Sequence, residues 1–236
     1  MNQYDKNSPV SYANGTTLAF ELMLNHPDKA KRIYLSPSLK RDETYKKLVN
    51  LANSKHIVII ENNEKIFKSP WAKDSTFVIS EFEKFETKLP SNGNHVVLVN
   101  PSNMGNVGTI MRSCLALGID GLALIKPCAD PFDPKTIRAS MGAIFALPIE
   151  TFSSFEEYQK ANLNRAFYPF MLKAETMLGA QKITTPFALI FGNEATGLND
   201  NFLSLGTPIK IKQSPKADSL NLDNAAAIGI YDFLNH

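Results

Sequence analysis

Apolar residues in the second half of the chain fall into two kinds of stretch. Short apolar runs, such as 95–99 and 187–191, have the length of buried strands. Longer stretches between them repeat apolar residues every three or four positions, which is typical of amphipathic helices. The predicted strands are 95–99, 121–126, 148–152, 166–172, 187–191 and 209–211, and the predicted helices are 106–117, 138–145, 153–162 and 221–234. Because strands that alternate with helices pair in parallel, we predict a mostly parallel α/β domain.

The first 90 residues show the same alternation on a smaller scale. Their predicted helices are 16–25 and 42–53, and their predicted strands are 32–35, 56–60 and 77–79. Glycine usage changes after them, since only Gly15 lies before residue 92 and eleven glycines follow. Residues 89–94, rich in Pro, Ser, Asn and Gly, are typical of a linker. We therefore predict a small α/β domain at 1–90 and a larger α/β domain at 95–236.

Composition excludes several classes of protein. Hydrophobic residues make up 44% of the 236 residues and charged residues 20%, which is ordinary for a globular protein and excludes wholesale disorder. No apolar run reaches the roughly 18–20 residues of a membrane span, and residues 1–15 are polar where a signal peptide is apolar. We expect a cytoplasmic protein with no membrane partner. Cys114 and Cys128 lie in no metal-binding spacing, so we expect no disulfide and no metal.

Charge is distributed unevenly along the chain. Residues 1–90 carry 14 Lys/Arg against 11 Asp/Glu, and residues 91–236 carry 11 against 12. The basic excess is concentrated in residues 28–47, with seven Lys/Arg against three Asp/Glu. A basic face of this kind is expected of a protein that binds the phosphates of a nucleic acid. An ordinary solvated helix face explains it equally well.

The turn after the strand at 95–99 has an unusual composition. Ligands in parallel sheets bind beyond the carboxyl ends of strands, so such turns are where chemistry is sought. Asn103, Gly105 and Gly108 lead into a helix that carries Arg112. This is no dinucleotide fingerprint, because G-x-G-x-x-G is absent and Lys126 stands where an acidic residue is expected. A capped helix start with packing glycines remains the alternative.

Two later turns also combine small and polar residues. Gly192 directly follows a predicted strand and lets a ligand approach the backbone, with Glu194 beside it. Ser219 and Asn221 precede a helix that opens with alanines at 225–227. The alternatives are that Glu194 caps the next short helix and that Ser219 or Asn221 is an N-cap.

Taken together, the three turns resemble a known family. N-x-G-N-x-G-x-x-x-R at 103–112, G-N-E-x-x-G at 192–197 and S-L-N-x-x-x-A at 219–225 are similar, in order and spacing, to the motifs of the SpoU (TrmH) branch of SPOUT methyltransferases. Residues 138–143 resemble a further family segment. The resemblance covers about 95–234, and residues 11–90 resemble more faintly the family's ribosomal-protein-like RNA-binding domain.

The resemblance implies a fold, an activity and partners. It implies a deep C-terminal trefoil knot, preceded by a small α/β substrate-binding domain. The implied activity is transfer of a methyl group from S-adenosylmethionine to a ribose 2′-OH in tRNA or rRNA, without a metal. The implied partners are that RNA and a second copy of the chain, bound through the C-terminal domain as a homodimer.

The resemblance also assigns residues. It implies that the cofactor lies in the knot and is bound largely by main-chain groups, at Gly192, Asn193, Gly197, Ile211, Leu220 and Ala225. Arg112 is the implied key catalytic residue. Since a guanidinium stays protonated, we expect it to orient the ribose or a phosphate and to stabilise developing oxyanion charge. The implied positions for substrate placement and loop shape are Asn103, Glu194, Ser219 and Asn221.

Some positions depart from the family pattern. Lys212 and Gln213 stand where Pro-Met is common, Pro215 and Lys216 lie in a loop that often carries glycine, and Asp223 replaces a frequent serine. Two other functions stay open. One is an RNA-binding protein that keeps the knot but has lost catalysis, and the other is an α/β enzyme that uses a different nucleotide.

Overall fold

The computed structural model describes residues 4–61, 63–73, 75–216 and 218–235. The chain forms two compact units, the first made of Met1–Phe85 and Asp130–Ala146 and the second of Glu86–Ala129 and Leu147–His236. The sequence pattern did not indicate that residues 130–146 pack with the first unit. The division into domains at 1–90 and 95–236 stays a prediction.

The first unit is built on a four-stranded mixed sheet. Its elements before residue 86 are β1 (Val10–Asn14), α1 (Thr16–Asn25), β2 (Ala30–Leu35), α2 (Glu43–Ser54), β3 (Val58–Glu61), α3 (Glu64–Phe67) and β4 (Val78–Glu83). The strand order is β1-β4-β2-β3, with β4 antiparallel to both neighbours and β3 parallel to β2. The five predicted elements are confirmed, although β4 runs to Glu83 instead of residue 79. The sequence pattern missed β1 and α3.

Alternation along β2 decides which face of this sheet the helices cover. Ile33 points to one face and lies in a buried apolar cluster with Leu48 of α2. Tyr34 points to the opposite face and lies in a cluster with Trp71. Trp71 is buried there and stacks on Tyr12, with ring centroids 4.5 Å apart. Both faces of the sheet therefore carry packed side chains.

The second unit contains a five-stranded sheet. The remaining elements of the chain are β5 (His95–Val99), α4 (Met104–Leu117), β6 (Gly121–Ile125), α5 (Pro134–Ser140), β7 (Ile149–Phe152), α6 (Phe155–Ala161), β8 (Ala166–Pro169), β9 (Thr176–Met177), β10 (Phe187–Phe191), β11 (Ile209–Lys210) and α7 (Leu222–Asn235). All except α5 belong to the second unit. The strand order is β7-β6-β5-β10-β8 and every pair is parallel, which confirms the mostly parallel α/β fold.

The middle of this sheet is fully buried. Val97 of β5 lies opposite Ala123 of β6 on one side and Ile190 of β10 on the other, and none of the three is exposed. Strands that are apolar on both faces are typical of a parallel sheet covered by helices. Because β5 and β10 are parallel neighbours, the loops that follow them leave the sheet at the same edge.

The helix predicted at 138–145 is wrong in its bounds. α5 begins at Pro134, because the side chain of Asp133 accepts a backbone N–H of the first turn and proline suits the first helical position. The helix ends before Met141, since Met141 (φ 51°) and Gly142 (φ 99°) both adopt the left-handed conformation. The sequence carried both signals, an Asp-Pro start and a glycine stop.

His95, at the start of β5, is buried and held neutral. Its Nε2 lies 3.0 Å from the carbonyl oxygen of Pro90, and its Nδ1 lies 3.0 Å from the hydroxyl oxygen of Tyr158. Because a carbonyl can only accept, Nε2 carries the proton and Nδ1 accepts from the hydroxyl. Burial, helped by the guanidinium of Arg165, lowers the pKa of His95 to about 4.

We predict that mild acid destabilises the protein through His95. His95 takes up a proton near pH 6.5 in the unfolded chain and only near pH 4 in the folded protein. The contribution of neutral His95 to the free energy of unfolding is therefore fully present above pH 6.5 and is lost as the pH drops towards 4. At pH 5 the loss is about 2 kcal/mol in the free energy of unfolding. Urea titrations at pH 7 and pH 5 measure it, and His95→Gln removes most of the difference.

The matched control is His56→Asn, because His56 is exposed and asparagine tolerates its positive φ of 56°. This variant should keep the wild-type pH dependence. A His95→Gln protein that loses as much stability as the wild type between pH 7 and pH 5 contradicts the assignment.

Candidate active site

A cavity of about 610 Å³ lies beyond the carboxyl ends of β8 and β10. Three segments of the second unit contribute to its wall, at 170–173, 191–200 and 209–225. Cavities that hold small molecules and cofactors measure roughly 300–1,000 Å³. The cavity is therefore large enough for a cofactor, and it lies where parallel sheets bind their ligands.

Eight of the eleven residues assigned from the sequence line this cavity: Gly192, Asn193, Glu194, Gly197, Ile211, Ser219, Leu220 and Ala225. The other three lie outside the lining. Asn103 is linked to it through Glu194, Asn221 precedes α7, and Arg112 is exposed on α4. The roles of all eleven stay predictions.

Glu194 joins the loop after β10 to the loop after β5. Its Oε2 accepts from the backbone N–H of Ser102 at 3.0 Å and from the hydroxyl of Ser102 at 2.9 Å. Its Oε1 accepts from the backbone N–H of Asn103 at 3.0 Å and from the side-chain amide of Asn106 at 3.2 Å. Hydrogen bonds to a charged acceptor are the strong ones. Glu194 thus ties two loops together, and the alternative that it caps the next short helix is wrong.

Burial and hydrogen bonding act on the Glu194 carboxyl in opposite directions. Partial burial raises its pKa, but the backbone N–H groups of Ser102 and Asn103 and the hydroxyl of Ser102 donate to the charged form and bring the pKa below its ordinary value. The carboxylate is therefore ionised throughout the neutral range. A group in that state cannot act as a general acid, which leaves it a positioning role.

The loop after β10 folds back on itself at Gly192. Asn193 and Gly197 form an antiparallel bridge in which the N–H of Gly197 donates to the carbonyl of Asn193 at 2.8 Å. The Asn193 side chain donates to the carbonyl of Asn100 at 2.8 Å and accepts from the N–H of Ala195 at 2.9 Å. A Cβ on Gly192 would lie 2.2 Å from the carbonyl carbon of Gly197. Only glycine fits, so this wall of the cavity is closely packed backbone.

Asn103 is the N-cap of α4. Its Oδ1 accepts from the backbone N–H of Gly105 at 2.8 Å and of Asn106 at 3.2 Å. This is the capped helix start that the sequence left open as the alternative for this motif. The cap and the bond from its own N–H to Glu194 fix Asn103 on both sides.

The start of α7 closes another side of the cavity. The carbonyl of Asn221 accepts the N–H of Ala225 at 3.0 Å, which begins the helix. α7 packs against α4 and β10. A Cβ on Gly229 of this helix would lie 2.6 Å from Cζ of Phe170. The missing side chain therefore allows the helix to approach the aromatic wall of the cavity closely.

The part of the cavity that follows β8 was not predicted from the sequence. Phe170 stacks on Phe191 with ring centroids 4.5 Å apart, and Leu172 lines the cavity beside it. Lys173 and Asp200, also in the lining, form an exposed ion pair at 2.7 Å. No motif marks these residues. They reach the cavity because β8 lies next to β10 in the sheet, a contact that no local sequence signal marks.

The lining combines apolar surface with a single buried acceptor. Ile209, Ile211 and Leu220 provide apolar surface next to the backbone of the glycine loop. The Oε1 of Gln213, also in the lining, is buried and has no hydrogen-bond partner among the described residues. Because the oxygen has no accessible surface, it lies within the packed wall and is not open to the cavity.

Neither a metal centre nor a membrane span is found in the described part of the chain. No group of three or more His, Cys, Asp or Glu among residues 4–61, 63–73, 75–216 and 218–235 could hold a metal ion. No helix within the same ranges is long and apolar enough to cross a membrane.

Solved structures contain the same fold. The AdoMet-bound rRNA methyltransferase from Sinorhizobium meliloti superposes with a TM-score of 0.80 over 95% of this chain and 87% of that chain, at 26% sequence identity. The similarity includes both the five-stranded parallel sheet and the residues that precede it, since it extends over nearly the whole chain.

Curated relatives match somewhat more than half of the chain. It is 34% identical over 145 residues to the 23S rRNA (uridine(2479)-2′-O)-methyltransferase of Streptomyces viridochromogenes, a match that covers 58% of this chain and 50% of that protein. It is 32% identical over 142 residues to an uncharacterised tRNA/rRNA methyltransferase of Synechocystis, covering 58% and 51%. The chain spans about half the length of these relatives.

A family model gives the most direct result. Residues 93–231, more than half of the chain, match the model of the SpoU rRNA Methylase family. The match includes all three motifs. The second and third motifs line the cavity, and Glu194 connects the first motif to it. The resemblance of the motifs is thereby confirmed, and the chain belongs to the SpoU rRNA methylase family.

Proposed function

We propose that this protein transfers a methyl group from S-adenosylmethionine to a ribose 2′-OH of tRNA or rRNA. One observation carries the proposal: the second and third family motifs form a single cavity of cofactor size, and Glu194 connects the first motif to it. The printed names of the relatives support the same reaction, since one is a 2′-O-methyltransferase acting on 23S rRNA and another structure is AdoMet-bound.

The residues of the cavity suit this cofactor. Backbone at Gly192, Asn193 and Gly197 and apolar surface at Ile211, Leu220 and Ala225 would hold it. When bound, S-adenosylmethionine supplies an electrophilic methyl group on a sulfonium. The chain's own tasks are to hold the acceptor oxygen in line with that methyl and to help remove its proton.

Arg112 has a positioning and electrostatic role in this proposal. Its side chain is exposed on α4 and forms no ion pair with the residues that the structure describes. A guanidinium does not give up its proton at ordinary pH, so it is a poor base. It is suited to orient the ribose or a neighbouring phosphate and to stabilise negative charge on the 2′-oxygen.

The proposal includes a homodimer formed through the C-terminal domain. Leu115 on α4 is 43% exposed and Tyr231 on α7 is 61% exposed, on two helices that pack against each other. A contact made through these two helices would bury both side chains, which favours association. Arg112 lies three residues before Leu115 and therefore on the same helix face. A dimer formed there would bring Arg112 to the subunit contact.

We also propose a deep trefoil knot at the C-terminus. Its support is the path of the chain, because β10 lies between β5 and β8 in the sheet, β11 then returns to pair with β9, and α7 packs against α4 and β10. The N-terminal α/β domain would bind RNA through its basic excess, by shape and phosphates. The protein would act in the cytoplasm on the same RNA classes.

We predict that Arg112→Ala abolishes transfer and spares cofactor binding. Purified protein is incubated with labelled S-adenosylmethionine and unmodified tRNA and rRNA transcripts, and label is counted in alkali-resistant dinucleotides. The variant should be slower by at least about 100-fold, since it loses charge stabilisation of the oxyanion. Its affinity for S-adenosylhomocysteine in calorimetry should stay within about twofold, as Arg112 does not line the cavity.

Lys160→Ala is the matched control, because Lys160 is exposed on α6 and outside the motifs. It should leave both measurements unchanged. Loss of cofactor binding in Arg112→Ala contradicts the proposed division of roles. Wild-type protein that retains RNA but transfers no label to any transcript supports the non-catalytic alternative.

Glu194→Gln should loosen the joint between the first two motifs. The amide replaces a charged acceptor that receives hydrogen bonds from Ser102, Asn103 and Asn106, which we expect to cost about 2 kcal/mol in the free energy of unfolding. The pKa of Glu194 in the folded protein lies below the ordinary value for Glu. The contribution of the carboxylate to the free energy of unfolding is therefore present at neutral pH and is lost as the pH falls through the lowered pKa.

Urea unfolding at pH 7 measures the change, with Glu175→Gln as the control because Glu175 is an exposed carboxylate of the second unit outside the cavity lining. The control should stay within about 0.5 kcal/mol of the wild type. If Glu194→Gln is as stable as the wild type at pH 7, Glu194 does not stabilise the protein by joining the two loops.

The proposed dimer can be tested by placing a charged side chain among the exposed apolar residues of α4 and α7. Tyr231→Glu should yield a monomer in light scattering, where the wild type has the mass of two chains, because burying an unpaired carboxylate in an interface is costly. Leu163→Glu is the control, since Leu163 is 74% exposed and lies outside α4 and α7. A wild-type protein that is monomeric, or a Tyr231→Glu protein that remains dimeric, overturns the proposed interface.

A further inference from the structure

Most cations of the basic stretch at 28–47 are paired in the structure. Five of its seven Lys and Arg form ion pairs with carboxylates: Lys29, Lys31, Arg32, Arg41 and Lys46. Each of these carboxylates attracts the same cation that a phosphate would, so the two compete for it. The basic stretch therefore offers less free positive charge to RNA than its sequence indicates.

The helix α5, which packs with the first unit, carries two cations on one face. Its Thr136, Ile137 and Ser140 are buried. On the opposite side of the helix, Lys135 is exposed and Arg138 is half-buried. Residues three positions apart are neighbours on a helix surface, so Lys135 and Arg138 lie side by side.

Neither of these cations is neutralised within the described part of the chain. Lys135 and Arg138 form no ion pair or side-chain hydrogen bond there, and the nitrogen atoms of Arg138 are not among the buried ones. The acidic residues nearby are already used, because Asp130 accepts from the hydroxyl of Tyr4 and Asp133 caps α5. Neighbouring like charges on a helix repel each other, and an anion bound between them removes that repulsion.

We propose that Lys135 and Arg138 bind adjacent phosphates of the RNA substrate. The inference rests on the proposed function, because RNA is the substrate there, and it adds a binding surface from outside the first 90 residues. A convex helix face does not enclose a small anion, whereas a polymer presents its phosphates in a row along such a face. The planar guanidinium of Arg138 is suited to a two-pronged contact with one phosphate, and the ammonium of Lys135 to a point contact with the next.

The test measures RNA binding without methyl transfer. Filter binding gives the affinity for unmodified tRNA and rRNA transcripts between about 50 and 200 mM salt. Lys135→Gln combined with Arg138→Gln should weaken binding about 20-fold at the lowest salt. The slope of log affinity against log salt should become shallower by about 1.5, because two phosphate contacts no longer release counterions. Damage to the fold alone lowers the affinity and leaves this slope unchanged.

Two further variants complete the experiment. Lys135→Arg combined with Arg138→Lys keeps both charges and should retain the wild-type slope, with an affinity within about threefold. Lys160→Gln combined with Lys182→Gln removes the same total charge from two exposed positions of the second unit. This control should bind RNA within about twofold of the wild type, because its two residues lie on no common helix face.

The outcomes separate the inference from the proposed function. If the wild type binds the transcripts and the α5 double variant binds them equally well, the inference is overturned and the proposed function stands. If that variant binds more weakly with the wild-type slope, or if the control loses as much affinity, the inference is again overturned. If the wild type binds no transcript, the proposed function falls and the inference with it.

Discussion

The carboxylate of Glu194 joins two loops that follow neighbouring parallel strands, and the rest of the candidate site depends on this joint. β5 and β10 are paired in parallel, so their loops leave the sheet at one edge. Ordering a loop costs conformational entropy, which hydrogen bonds to a charged acceptor offset. Both oxygens of Glu194 are used on the loop after β5, and Asn193 adds a bond to the carbonyl of Asn100. Together these bonds fix the first motif relative to the second.

The joint explains why the cavity carries little charge of its own. The carboxylate of Glu194 already receives hydrogen bonds from the protein, and the ion pair of Lys173 and Asp200 is exposed. Most of the remaining wall is backbone and apolar side chains, which recognise a ligand by shape.

Much of the fold could be predicted from the sequence. The bounds of α1, β5 and β10 agree with the prediction at both ends, because their apolar runs are interrupted abruptly by Gly, Asn or polar residues. β1 escaped prediction, since it is short and mixes polar with apolar residues. The helix at 138–145 was misplaced because the apolar pattern continues through Met141 and Gly142, where the backbone turns left-handed. Periodicity reports which residues are buried and does not report such a break.

The candidate site was predictable only where short motifs marked it. Eight of the assigned residues line the cavity, but Phe170 and Leu172 reach it because β8 pairs with β10, a contact between distant parts of the sequence. Long-range packing of this kind is not encoded in any local pattern.

In the proposed reaction, the site of a single chain is incomplete, because Arg112 lies outside the cavity lining. The residues that line the cavity include no Arg, and the exposed Lys173 in the lining is paired with Asp200. An oxyanion that develops at the acceptor ribose needs a cation that is free to approach it. Arg112 is exposed and unpaired among the described residues, and it shares a helix face with the exposed Leu115. An apolar contact beside that arginine would remove water and strengthen its electrostatic effect, so the association of two chains and the chemistry at the ribose would depend on the same helix face.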